Sequence, residues 1–409
     1  MADGPSEERP QPKARAKETQ EAQRATDGPL AMAEYKAEHQ VDRAKTIKHL
    51  IFLVDGTWVA SDLNLASQQY SNVYKLNLSL KHADKDGNPQ IVFYTRGIGS
   101  TSSLRRYTAG GFASGIDEMI TEIYVNMVSN YTPGDKVYLF GFSRGAVIVR
   151  AVTGLLGRFG LLTAARMGQY AALWKQFVSY QGGEDDKDFL ATKSTCLSGI
   201  EIEFVGAFDT VFGGNENKDN MFSRLRFSSR RLDPCIKTAV HILSLDEDRR
   251  RFNCMTWDEI SSSEHQQLEQ IWMPGVHSDV GGTYAAGTLG DLSLLTMIDR
   301  VKTHTQLEFH DEKTQYLANA ITKDIYYSNI SINRERAWYL PLRRSVRKPS
   351  SNDPNQFVHR IVPVMTRDNV TYRPEKTKRL YTVPRNNTWL PLMRPLKHFK
   401  IDQLESLSE

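Results

Sequence analysis

The sequence predicts an α/β fold: a mainly parallel central sheet with helices on both faces, of the α/β-hydrolase-like kind. Three observations predict it. Short, continuously apolar runs recur along the chain, stretches of helical period separate them, and acidic, hydroxyl or imidazole side chains stand just after several of the runs. Strands that alternate with helices pack as a parallel sheet covered on both faces, so they read as unbroken apolar runs. Ligands of such sheets bind beyond the carboxyl ends of the strands, which makes the polar residues there the first candidates for chemistry.

The elements follow in order. Leu50-Ile51-Phe52-Leu53-Val54 ends at Asp55-Gly56 and reads as a central, doubly covered first strand. Residues Asn72 to Leu80 suit a helix, Asp84 to Pro89 a turn, and Ile91-Val92-Phe93-Tyr94 a second strand. From Gly115 to Tyr131, Ile116, Met119, Ile120, Ile123, Tyr124 and Met127 recur at helical spacing, and Pro133-Gly134-Asp135 closes the segment. Val137-Tyr138-Leu139-Phe140 is the next strand, and Ala146 to Leu156 is a buried helix stopping at Gly157 and Gly160. Further strands are expected at Ile200 to Phe208, ending in Asp209, and at Gln270 to Met273, ending at Pro274-Gly275-Val276-His277. From about residue 305, prolines punctuate an irregular C-terminal extension of strands and loops with a short helical end, packed on the same domain. The polar stretch 1–46 reads as a disordered or loosely helical tail, and 47–409 as a single domain.

Between the Val137 strand and the Ala146 helix stands Gly141-Phe142-Ser143-Arg144-Gly145. A serine between glycines on a sharp strand-to-helix turn is the sequence form of a nucleophile elbow, in which the glycines let neighbouring backbone pass close by. An ordinary glycine-serine turn has the same local pattern, so the partners matter. A serine nucleophile needs a histidine base, and that base needs a buried carboxylate to hold its tautomer. Ser143, Asp209 and His277 arrive in the required chain order, each after an expected strand. His277 lies in a loop with paired glycines, Gly281 and Gly282, which would let the backbone bring the imidazole across.

The competing assignments are weaker. His241, inside Val240-His241-Ile242-Leu243, reads as a structural residue, in the core or on a surface strand. Asp279 is two residues from His277, where side chains usually point apart, and suits a role in holding the loop through backbone amides. Asp246, Glu247 and Asp248 precede Arg249-Arg250-Arg251 and suggest local ion pairs on a solvated face. The oxyanion of acyl transfer needs preorganised N–H donors, here expected from the backbone of Arg144 and of Gly56 or Thr57. Asp55-Gly56-Thr57 also evokes phosphatases of the haloacid dehalogenase type, but Leu53 stands where their nucleophilic aspartate belongs.

Composition sets the outer bounds. A net charge of +4 over 409 residues argues for no nucleic-acid partner. The basic clusters at Arg224 to Arg231 and at Arg343, Arg344 and Arg347 read as solvated rim or loop. Cys196, Cys235 and Cys254 are odd in number and lack CxxC spacing, so they indicate neither a disulfide framework nor a zinc site and suit a reducing compartment. Acyl transfer by a serine requires no metal or organic cofactor, and none is expected. The N-terminus lacks the apolar core of a secretory signal, and no run is long enough to span a membrane. A cytoplasmic location, or export without a cleavable signal, follows as the expectation, with peripheral contact to a membrane possible and the oligomeric state open.

Over about Ile47 to Pro395 the chain resembles the α/β-hydrolases related to the catalytic domain of type VI secretion phospholipase effectors. The ordered motifs are Phe52-Leu53-Val54-Asp55-Gly56-Thr57-Trp58, Ser71-Asn72-Val73, Tyr94-Thr95-Arg96-Gly97-Ile98-Gly99, Tyr131-Thr132-Pro133-Gly134-Asp135, Leu139 to Ala146, Val205 to Val211, Leu245-Asp246-Glu247 and Pro274 to Gly282. The resemblance implies a serine hydrolase acting on acyl esters, with phospholipids as the substrates of the family's characterised secreted members. It implies Ser143, Asp209 and His277 as triad and leaves Asp55 as a site-shaping residue. Val59 departs from the asparagine common in the family after the tryptophan. A hydrolase-like fold used as a binding or regulatory module, without turnover, is the alternative.

Overall fold

The computed structural model describes residues 47–56, 70–97, 111–179, 187–212, 231–249, 252–258, 265–284, 287–326, 330–333, 347, 349–350, 352–368, 392–401 and 404. The expectations for the tail 1–46, for Thr57 to Val59, for Ile98-Gly99, for Arg224 to Arg230 and for Arg343 and Arg344 lie outside them.

In chain order the first elements are β1 (His49–Val54), α1 (Asn72–Ser79), β2 (Gln90–Thr95), α2 (Gly111–Asn130), β3 (Lys136–Phe142) and α3 (Arg144–Phe159). A two-residue β4 (Leu161–Leu162), α4 (Tyr170–Ser179), α5 (Lys187–Lys193) and β5 (Cys196–Leu197) come next. Then follow β6 (Ile202–Phe208), β7 (Ile236–Ser244), β8 (Gln267–Met273), α6 (His277–Val280), α7 (Thr288–His304), α8 (Asp311–Tyr326), β9 (Gln356–Val358) and α9 (Ile361–Asp368).

Seven strands form one sheet in the order β2-β1-β3-β6-β7-β8-β9, and every neighbouring pair in it is parallel. The predicted α/β class is therefore the observed one. β1 is buried along its whole length, because alternate side chains serve two cores. Leu50, Phe52 and Val54 join one cluster with α2 and α3. Ile51 and Leu53 join the other with α1, α7 and α8. Each large apolar side chain so buried contributes about 2 kcal/mol, which is why the strand carries no polar alternation.

Two expectations need correction. Gly157 does not stop α3, which runs to Phe159 and ends at Gly160, a residue with φ of 89°. Gly157 is instead a packing position, where a Cβ would lie 2.5 Å from Asp233 Oδ1. The C-terminal extension is more regular than expected, since α8 has 16 residues. Its buried Ala318, Ile321 and Ile325 and half-buried Leu317 mark one helical face in an otherwise polar stretch, and the prolines begin only afterwards, at Pro341.

Candidate active site

The chain reverses around β1: β2 lies on one side of it and β3 on the other. The crevice beyond the carboxyl ends of β1 and β3 is thus a topological switch point, where open parallel sheets bind ligands. Ser143 sits there, between β3 and α3, with φ 56° and ψ −119°. Glycines on both sides are required. A Cβ on Gly145 would lie 2.1 Å from the Val54 carbonyl oxygen, and one on Gly141 would lie 2.5 Å from the Ala146 nitrogen.

β6 ends at Phe208, and the Asp209 N–H continues the ladder by donating to Ile242 O at 2.7 Å. His277 opens α6 after the turn that follows β8. The structure brings the three together. His277 Nε2 lies 2.9 Å from Ser143 Oγ, and His277 Nδ1 lies 2.6 Å from Asp209 Oδ2. The imidazole is held between two phenyl rings: Phe142 stacks on it with centroids 4.8 Å apart, and Phe252 meets it edge-on at 5.0 Å.

The loop carrying His277 is tied down rather than loose. Asp279 Oδ2 accepts from the Val276 N–H at 2.9 Å, Oδ1 accepts from Asn333 Nδ2 at 2.7 Å, and neither bond goes to His277. Asp246 Oδ2 accepts from the Gly275 N–H. The reading of Gly281 and Gly282 as sources of flexibility is corrected by packing. A Cβ on either would lie 2.1 Å from a neighbour, Phe142 and Asn72 respectively. Glu247 is likewise not on a solvated face: it is 2 % exposed, pairs with Arg249, and accepts from the His277 N–H at 3.2 Å.

Asp55 closes β1 as a buried carboxyl that accepts from the Gly56 N–H, Ser71 Oγ and Tyr94 OH at 2.7, 2.7 and 2.8 Å. Burial raises it above the usual aspartate range despite these three bonds. The Gly56 N–H donates to the Asp55 side chain, while a Cβ there would lie 2.7 Å from the Phe142 ring and 3.2 Å from Ser143 Cβ. Gly56 therefore lets the first-strand loop approach the elbow. Arg144 opens α3 directly after Ser143, at the positive end of the helix dipole.

Asp209 is wholly buried. Burial alone would raise its carboxyl, but the adjoining Arg347 and His277 outweigh it and hold the group well below the usual range. Ser244 donates to it twice, from N at 3.0 Å and from Oγ at 3.1 Å. Arg347, expected on a solvated rim, is 4 % exposed and pairs with both oxygens of Asp209. Its cluster of neighbouring arginines carried no sign of this. His241 is a core residue: its Nε2 lies 3.0 Å from Thr210 N, and burial, helped by Arg150, lowers the imidazole to about 3. Among the described residues, no group of three or more His, Cys, Asp or Glu side chains could hold a metal ion, and no helix is long and apolar enough to cross a membrane.

The family described as "T6SS, Phospholipase effector Tle1-like, catalytic domain" matches residues 48–300, more than half of the chain. The chain belongs to this family. Ser143, Asp209 and His277 fall inside the matched region, and Arg347 falls outside it. A relative in Saccharomyces cerevisiae, "Uncharacterized protein YEL023C", is 27% identical over 234 residues, in an alignment that covers 51% of this chain and 33% of the relative. The match thus spans about a third of that relative's length. The solved structure of the Tle1 effector bound to the VgrG spike of the type 6 secretion system aligns over 58% of this chain and 51% of its own, at 22% identity and a TM-score of 0.34. An uncharacterized protein from Pseudomonas aeruginosa aligns over 66% of this chain and 48% of its own, at 17% identity and a TM-score of 0.42.

Proposed function

We propose that this protein is a serine hydrolase that cleaves acyl esters, with phospholipids as the substrate class. The observation that carries the reading is the continuous contact from Ser143 Oγ through His277 to Asp209, all buried and all in segments that follow strands. Membership of a phospholipase effector family supports the choice of lipid ester.

The chemistry follows from the geometry. With its Nδ1–H donated to Asp209, His277 presents Nε2 as acceptor to the Ser143 hydroxyl. Ser143 Oγ attacks the ester carbonyl carbon as its proton passes to Nε2, and the carbonyl becomes a tetrahedral oxyanion. The Arg144 N–H, at the start of α3, helps bind that charge. Collapse breaks the bond to the leaving alcohol, which takes the proton from Nε2 and leaves an acyl-Ser143. Water, deprotonated by His277, then attacks the acyl carbon, releases the fatty acid and restores the serine. Asp209 stays ionised and holds the ring throughout. Asp55 shapes the first-strand loop and Asp279 the His277 loop, so both act on the site without touching the reacting atoms. No cofactor enters this scheme, and lipid would be met by peripheral contact with a membrane surface.

A fluorophosphonate probe is expected to label the parent protein and not Ser143→Ala. Ester and phospholipid turnover should fall about a thousandfold or more in the same variant. Undiminished labelling of the alanine variant would overturn the assignment. An unlabelled, inactive parent would favour a hydrolase fold used for binding alone.

A further inference from the structure

The buried acid of the relay has an unusual partner. Arg347 Nη2 donates to Asp209 Oδ2 at 3.0 Å, Nη1 donates to Oδ1, and Oδ2 is also the oxygen facing His277 Nδ1. A two-pronged guanidinium fixes the plane of a carboxylate as well as neutralising it. Here that plane is the one that presents Oδ2 to the imidazole. An ionised carboxylate with no exposure needs a countercharge, or it takes up a proton and stops acting as an acceptor. While His277 is neutral, Arg347 supplies that countercharge.

The guanidinium is itself anchored on the site. Nη1 donates to Ser244 O at 2.9 Å, at the end of β7. Nη2 donates to Phe252 O at 2.5 Å, and the Phe252 ring is one of the two that clamp His277. One side chain therefore joins the acid, the strand end beside it and the wall of the imidazole slot. It comes from outside the family-matched region 48–300.

We propose that Arg347 is a positioning residue for the Ser143–His277–Asp209 relay, holding the Asp209 carboxylate ionised and turned toward His277 through both proton transfers. This rests on the serine hydrolase reading above. A merely structural ion pair would matter to stability alone, whereas a positioning residue matters to turnover at unchanged substrate binding.

The test uses the full chain, a short-chain nitrophenyl ester and proton NMR of the low-field resonance of the His277 Nδ1 proton, assigned by its loss in His277→Gln. In Arg347→Gln, kcat is expected to fall about a hundredfold with KM within about twofold, as for the loss of an interaction made in the transition state. Arg347→Lys should recover about a tenth of parent turnover, since it keeps the charge and loses the fork. The low-field resonance should persist in Ser143→Ala and vanish or move in Arg347→Gln. If Arg347→Gln does not fold, Arg347→Lys decides: reduced kcat at unchanged KM with a displaced resonance supports the proposal. A folded variant of either kind with parent kcat and an unmoved resonance overturns it. A parent without Ser143-dependent turnover overturns the hydrolase reading instead, and the resonance then decides the positioning role alone.

Discussion

Ser143 occupies a backbone region that serine avoids, with φ 56° and ψ −119°. A non-glycine residue held there costs on the order of 1–3 kcal/mol, which the surrounding elements must supply. Ser143→Gly should therefore raise the stability of the folded chain by about 1 kcal/mol in urea denaturation while abolishing fluorophosphonate labelling. A variant no more stable than the parent would show that the elbow is unstrained. The contacts among Ser143, Asp209 and His277 were foreseeable because each residue ends or follows an apolar run and the chain order is restrictive. Arg347 was not, since its contact with Asp209 bridges 138 positions and a buried arginine looks the same in sequence as a solvated one. The setting of Gly56 was hidden for a related reason. Composition marks a glycine loop, but the turn of its N–H back to the Asp55 side chain is set by the fold.

α3 buries a polar contact in its C-terminal half. Asp233 presses against its Gly154 and Gly157, and burial, partly offset by Arg150, raises that carboxyl to about 7. In the unfolded chain an aspartate titrates near about 3.9, so between these values the folded state holds the extra proton. Stability should then fall as pH rises from about 4 to about 7 and level off above. Asp233→Asn removes the ionisable group, so it is expected to be more stable than the parent by about 4 kcal/mol at pH 8 and near-equal at pH 4. Urea midpoints at the two pH values test this, and an equal gap at both would refute it. At this scale, strands were the legible part because continuous apolar runs are unambiguous in a covered sheet. α8 was hidden because most of its residues are polar and its apolar face is narrow.

The two cores lie on opposite faces of one sheet, and the second depends on the end of the chain. Phe309, Ile321, Ile325, Ile361, Met365, Met393, Phe399 and Ile401 all enter the cluster that contains Ile51 and Leu53 of β1. β9 also covers what would otherwise be an open edge of β8. A chain truncated after His304 keeps Ser143, Asp209 and His277, yet it should lose cooperative unfolding and bind a hydrophobic dye. A sharp, dye-free transition in that truncation would overturn this account. Sequence motifs end near Gly282, so they report the site and leave unstated how much of the molecule's stability lies beyond it.

The strand order has a meaning in time. After the reversal at β1, each later strand of the large sheet joins the same growing edge in the order in which it is synthesised. A nascent chain can thus extend its sheet strand by strand without inserting one between two already paired. Ser143, Asp209, His277 and Arg347 emerge in that sequence, so in the proposed relay the serine is made first and the cation paired with Asp209 is made last. Under that proposal, reactivity at Ser143 would be deferred until most of the polypeptide exists.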